Sequence, residues 1–168
     1  LNLTEFLYSL PDVFDEQFPN RANAFQFDTD TRNIFICADS KRLLSAFLEL
    51  LSNAAEADNS CGSIQIHSHV NACGHTVTVS VTGKGSLSEI NPSEMQTNPL
   101  IDADAPLTAQ LSTPFFSTKE NHAGLGLSIV AQVCHTHHAG FELYSRNGFT
   151  TAGITFPILA MDDMRNTI

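Results

Sequence analysis

Glu49, Asn53 and Glu56 are spaced i, i+4 and i+7, which sets their side chains along one line of any helix that carries them. Glu49 is an acid able to accept or orient a proton, and Asn53 offers a neutral amide oxygen to a magnesium ion already carried by phosphates. The same spacing also suits an ordinary solvated helix face. A second segment carries complementary chemistry: Thr113-Pro114-Phe115-Phe116-Ser117-Thr118-Lys119-Glu120-Asn121-His122-Ala123-Gly124-Leu125-Gly126-Leu127. Glycines just ahead of a helix let backbone N–H groups approach an anion at the positive end of the helix dipole, and Lys119 adds a mobile cation beside them. A tight turn is the plainer reading of the two glycines.

The elements that must position these groups are legible in outline. Asp39 or Ser40 can cap a helix in which Leu43, Leu44, Phe47, Leu50, Leu51, Ala54 and Ala55 recur at three- and four-residue steps until Asn59. Residues 63–70 and 76–81 alternate apolar and polar around an Asn71 to Gly74 turn, a hairpin with one buried face and with His67 and His69 toward water. A second helix is expected after Gly124-Leu125-Gly126-Leu127, running to about His138 and closed by Gly140. Residues 141–146 and 153–158 read as a final strand pair. Ahead of all this, Thr4 is a plausible cap for a short amphipathic helix that ends before Pro11 at the domain edge, and residues 24–39 suit two short edge strands. The segment from Ser86 to Thr113 holds Pro92, Pro99 and Pro106 and no Lys or Arg, as a functional loop would, with a short capped helix at 104–111.

The composition bounds the class. The chain has 168 residues, 42% of them apolar, enough for one domain with a core. A formal charge of -10 argues against a surface that neutralises nucleic-acid phosphates or anionic lipid, so neither a nucleic-acid partner nor direct membrane contact is expected. No run is long and apolar enough for a membrane span, and the first residues read without the basic start and apolar stretch expected of a signal peptide. Opening on Leu1 rather than Met, the chain is expected to be a cytoplasmic piece of a longer protein. Cys37, Cys61, Cys73 and Cys134 form no CxxC and are expected to be reduced thiols, while His135, His137 and His138 read as a solvated helix end in preference to a metal site.

Taken together, these residues resemble the catalytic ATP-binding domain of sensor histidine kinases in the GHKL ATPase superfamily. Glu49-Leu50-Leu51-Ser52-Asn53-Ala54-Ala55-Glu56-Ala57 is similar to the family's N box, Pro114-Phe115-Phe116-Ser117-Thr118-Lys119 to its F box, and Gly124-Leu125-Gly126-Leu127-Ser128-Ile129-Val130 to its second glycine box, in the family's order. Asp39, His138-Ala139-Gly140 and Gly153-Ile154-Thr155-Phe156 match further points of the pattern. The resemblance implies an α/β two-layer sandwich, a mixed sheet of about five strands with about three helices on one face. It implies a leading segment 1–24 that follows an absent dimerisation hairpin, an ATP-binding domain 25–158 with a long lid 86–123, and a tail 159–168. It implies ATP and Mg2+ as cofactors. Glu49 would be base or orienting acid and Asn53 the magnesium ligand. Glu56, Thr118, Lys119, Gly124, Leu125, Gly126 and Leu127 would line the nucleotide site, and Thr155 would lie by the adenine. The partners it implies are a histidine-containing dimerisation domain and a response regulator.

One box departs from the family. The first glycine box reads Asp-x-Gly-x-Gly, its Asp taking a hydrogen bond from the adenine amino group, whereas this strand ends Val81-Thr82-Gly83-Lys84-Gly85. Matching Gly83 and Gly85 puts Val81 at the Asp position, and the alternation of Val77, Val79 and Val81 supports that register. A slip of one residue would put Thr82 there and lose both glycines. His122 also stands where the second glycine box usually begins with Gly. Two classes of function follow: a histidine kinase catalytic domain, and a module of the same fold that docks to other proteins without productive nucleotide binding. A serine-kinase relative of the same superfamily fits the Pro114 to Lys119 pattern less well.

Overall fold

A computed structural model describes residues 1–19, 23–29, 33–57, 62–85 and 126–159. Eight elements follow in order: α1 (Leu3–Gln17), β1 (Ala24–Asp28), α2 (Ser40–Ala57), β2 (Ser63–Val70), β3 (Thr76–Lys84), α3 (Gly126–Thr136), β4 (Gly140–Arg146) and β5 (Phe149–Pro157). The strands form one mixed sheet in the order β1-β2-β3-β5-β4, with β1 parallel to β2 and every other pair antiparallel. Val77, Val79 and Val81 of β3 stand opposite Phe156, Ile154 and Ala152 of β5, and all six are buried under the helix layer. The opposite face of the sheet is polar, and there Thr78 pairs with Thr155 at 2.8 Å and Thr82 with Thr151 at 2.9 Å through their hydroxyls. The expected two-layer α/β sandwich is therefore the fold.

The N-terminal helix differs from expectation in its cap and in its length. Its cap is Asn2, whose side-chain oxygen accepts from the Glu5 amide at 3.4 Å, and Thr4 lies inside the first turn. The helix continues through Pro11 to Gln17 because the apolar stripe of Leu3, Phe6, Leu7, Leu10 and Phe14 continues past the proline. Burial of that stripe offsets the roughly 3 kcal/mol that an interior proline costs. The helix lies over the edge strand, Phe14 meeting Phe25 of β1 at 5.6 Å, while all five stripe residues join the hydrophobic core and Phe6 meets Phe47 of α2 edge-on at 5.6 Å.

Of the two edge strands expected between residues 24 and 39, only β1 forms. Around Phe35 the chain makes one isolated bridge to Asn2, tied by the Leu3 amide to Ile34 O at 2.7 Å and the Ile36 amide to Leu1 O at 3.0 Å. At the other end of the chain, β5 begins at Phe149, earlier than the expected Gly153. Asn147 and Gly148 both take positive φ, 54° and 78°, which closes β4 onto β5 in a two-residue turn. The helix α3 likewise stops before Gly140. His138 adopts φ 51°, and the amides of His138 and Ala139 bond to His135 O and Cys134 O at 3.3 and 2.9 Å. That is a Schellman cap with His138 in the place usually given to glycine, so Gly140 is free to begin β4. The expected helix 104–111 lies outside the described residues.

Candidate nucleotide site between the helices

The site is built on α2. Asp39 Oδ1 accepts from the Lys41 and Arg42 amides at 2.9 and 3.1 Å, and the Asp39 carbonyl accepts from the Leu43 amide at 2.9 Å. Asp39 is therefore the N-cap. The Arg42 amide above all, joined by the Lys41 amide and the Arg42 guanidinium, holds the Asp39 carboxyl below the usual carboxylate range. Leu43, Ala46, Phe47, Leu50 and Leu51 are buried, so the next side chains around the helix, Glu49 and Asn53, are left half-buried at the margin of the core. One turn farther on, Glu56 Oε1 accepts from Ser52 Oγ at 3.0 Å.

Helix α3 runs antiparallel to α2 and delivers its first residue to this margin. A side-chain carbon built on Gly126 would stand 2.7 Å from Glu49 Oε2 and 3.6 Å from Asn53 Nδ2. An acid, an amide and the amino end of a helix thus converge, the helix dipole favouring negative charge at that point. Leu127, the next residue, is partly buried and packs against the core.

Gly83 and Gly85, at the end of β3, lie on the same side. Gly83 sits so close to α2 that an added carbon would meet Ala54 Cβ at 2.7 Å, Ala54 Cα at 2.9 Å and Ala54 O at 3.0 Å. Gly85 takes φ 146°, a region nearly closed to other residues, and its amide donates to Gly148 O at 2.8 Å. Val81 is 2% exposed and faces the helix layer between Ile66 and Ala152. Thr82 points to the far face, where its hydroxyl pairs with that of Thr151 at 2.9 Å.

Thr155 is not brought to the site. It lies on the far face of the sheet, bonded to Thr78, while its neighbour Ile154 faces the helices. Thr118, Lys119, Gly124 and Leu125, with the lid segment 86–123, lie outside the described residues, as do residues 160–168 of the tail. Among the described residues no three His, Cys, Asp or Glu side chains are grouped as metal ligands, and no helix is long and apolar enough to cross a membrane. His135 and His138 are exposed, whereas His137 is half-buried and bridges two backbone groups. The role of Ala54 as the small residue beneath Gly83 carries no sequence signal beyond its place in the apolar stripe.

The fold and this convergence define a nucleotide-binding sandwich, and comparison with known proteins agrees. Residues 38–160 match the family model described as histidine kinase-, DNA gyrase B-, and HSP90-like ATPase. The chain is 33% identical over 127 residues to the sensory histidine kinase/phosphatase NtrB of Rhizobium leguminosarum bv. phaseoli, an alignment spanning 73% of this chain and 32% of that protein. With NtrB of Rhodobacter capsulatus it shares 28% identity over 120 residues, 71% of this chain and 33% of that one. The nucleotide-free catalytic domain of histidine kinase ThkA superposes with a TM-score of 0.70 at 27% identity, covering 94% of this chain and 93% of that domain. The chain belongs to the histidine kinase-, DNA gyrase B- and HSP90-like ATPase family. Within it, this is an ATP-binding domain of the sensor histidine kinase kind, and it spans about a third of the length of these two NtrB relatives.

Proposed function

We propose that the chain binds magnesium–ATP where α2 meets α3, and that within a longer sensor kinase it transfers the γ-phosphoryl group to a histidine on a separate dimerisation domain, from which a response regulator receives it. The observation that carries this reading is the meeting of Glu49, Asn53 and Gly126 at one point. The regulator is supported by the structure of ThkA in complex with response regulator protein TrrA, which matches with a TM-score of 0.68 at 26% identity over 95% of this chain and 41% of that one.

The donor set fits the group. The Asn53 amide, whose Nδ2 is the atom nearer Gly126 here, has to turn its oxygen to a phosphate-bound cation, and the absence of a side chain at the start of the helix suits the anion. When bound, magnesium–ATP supplies an electrophilic phosphorus whose charge the cation offsets. The residues of this chain do the positioning. Asn53 would hold the magnesium, and the amides at Gly124, Leu125, Gly126 and Leu127, with Thr118 and Lys119, would hold the phosphates. Glu49 would take or orient the proton of the attacking imidazole. Glu56, held by Ser52, closes the line of polar groups on α2. Val81, Gly83 and Gly85 would border the base.

A second reading, a docking module without productive nucleotide binding, is supported by the register that aligns Gly83 and Gly85 with the family's glycines, in which Val81, a buried residue with no acceptor, would stand for the adenine-binding Asp. Loss of a charge-assisted hydrogen bond weakens binding by roughly ten- to a hundred-fold. Calorimetric titration of ATP with and without magnesium separates the two. Magnesium-dependent binding in the millimolar range supports the kinase reading, and no heat at any magnesium concentration selects the docking module.

A further inference from the structure

His137 joins the two helices of the site at their opposite ends. Its Nε2 accepts the Asp39 backbone N–H at 2.9 Å, and its Nδ1 lies 2.7 Å from Val133 O. A carbonyl can only accept and an amide N–H can only donate, so making both bonds needs the ring proton on Nδ1 and the lone pair on Nε2. One imidazole therefore spans the last turn of α3 and the N-cap of α2. Because the helices are antiparallel, this tie lies at one end of the pair and the Glu49, Asn53 and Gly126 convergence at the other. Eleven residues of α3 make a rod of about 16 Å, and α2 covers a similar span from Ser40 to Glu49. The helix bodies between are locked into the core by Val130, Val133 and Cys134 on α3 and by Leu43, Phe47 and Leu50 on α2. Rods packed in this way move as units, so a change of register at the His137 end is delivered to Gly126. There Gly126 lies beside Glu49 and Asn53, so a shift of α3 along α2 changes which groups meet.

We propose that His137 is a positioning residue: by tying Asp39 to Val133 it sets the register of α3 on α2 and so holds the amino end of α3 against Glu49 and Asn53. The effect on nucleotide binding rests on the proposed function; the effect on helix register does not.

Two substitutions separate the two bonds. Asn carries its Nδ2 as many bonds from Cβ as Nδ1 of the imidazole, so His137→Asn keeps the bond to Val133 and falls short of Asp39. Gln carries its terminal oxygen as many bonds from Cβ as Nε2, so His137→Gln can still reach Asp39. His138→Gly changes the same helix end without touching the tie. Amide resonances of the 168-residue chain are recorded without nucleotide, and magnesium–ATP affinity is then titrated for the wild type and all three variants. The expected result is that His137→Asn displaces the Gly126 amide and the Asn53 side-chain amide and weakens binding at least about fivefold. His137→Gln and His138→Gly are expected to stay within about twofold of wild type with those resonances in place. The proposal is overturned if His137→Asn lowers the melting temperature while the Gly126 and Asn53 resonances stay put, or if Gln behaves as Asn does. Wild-type protein that binds no nucleotide would overturn the proposed function instead, and the resonances would still decide the role of His137.

Discussion

The first residue of α3 leaves room for an acid on α2: a side-chain carbon on Gly126 would lie 2.7 Å from Glu49 Oε2. The atom it would meet is the far end of a flexible side chain, which can swing aside without moving either helix. Gly126→Ala is therefore expected to leave the melting temperature unchanged or slightly higher, since alanine is the better helix former by up to about 1 kcal/mol. The displaced carboxylate and the crowded helix start should lower magnesium–ATP affinity and phosphoryl transfer at least about tenfold. Thermal unfolding beside nucleotide titration checks both halves, and unaltered binding would remove Glu49 and Gly126 from the site.

Gly83 meets α2 differently, because its contacts at 2.9 and 3.0 Å are with the Ala54 Cα and carbonyl oxygen, which cannot swing aside. An alanine there must push α2 off the sheet next to Asn53. Gly83→Ala should cost about 1–3 kcal/mol of stability, as overpacking of a close-packed site does. Urea unfolding measures this directly. Ala54→Gly in the same background removes the Cβ contact at 2.7 Å and should restore part of the loss.

Burial pushes the Cys134 thiol up to about 11 from 9.0. Below 9 the thiol is protonated in both folded and unfolded chains. As pH rises toward 11 the unfolded chain gives up a proton that the folded chain keeps, so the stability this thiol contributes is present below 9 and lost as pH climbs through that window. The stability gap between wild type and Cys134→Ala should accordingly narrow between pH 8 and pH 11 on urea unfolding. At pH 8, iodoacetamide followed by peptide mapping should find the exposed Cys37 and Cys73 alkylated and Cys134 intact.

Helix α2, its cap at Asp39 and the β2–β3 hairpin were legible because each is written in a local period or a local bond. The misses have the opposite character. Pro11 lies in α1 because Phe6 and Phe14 find partners in Phe47 and Phe25, a tertiary gain that outweighs a local helix breaker. The early start of β5 was signalled by Asn147-Gly148, a strong two-residue turn marker that strand alternation alone passes over. Within the site, the common line of Glu49 and Asn53 follows from spacing, and the family boxes predict their meeting with the glycines. The close approach of Gly126 to Glu49 and of Gly83 to Ala54 is a matter of interhelical and helix–sheet distance, which no run of residue types encodes. His137 escaped because a histidine at a helix end reads as solvated until the facing element is placed.

Val81 sets the last prediction, in which stability and binding pull apart. The side chain is 2% exposed between Ile66 and Ala152, so Val81→Asp places a carboxylate in the core margin with no cation facing it among the described residues. Desolvation should lower the stability of the nucleotide-free variant by several kcal/mol. With nucleotide present, the same carboxylate gains the adenine amino group as a donor, a charge-assisted bond worth roughly 1.5–3 kcal/mol. The variant should melt lower than wild type alone, bind magnesium–ATP at least about tenfold tighter, and gain more in melting temperature from saturating ATP than wild type does. Calorimetry and thermal shift on one preparation measure all three. A destabilised variant with no gain in affinity would show that Val81 does not stand at the adenine position, and the weak-binding reading would lose its physical cause.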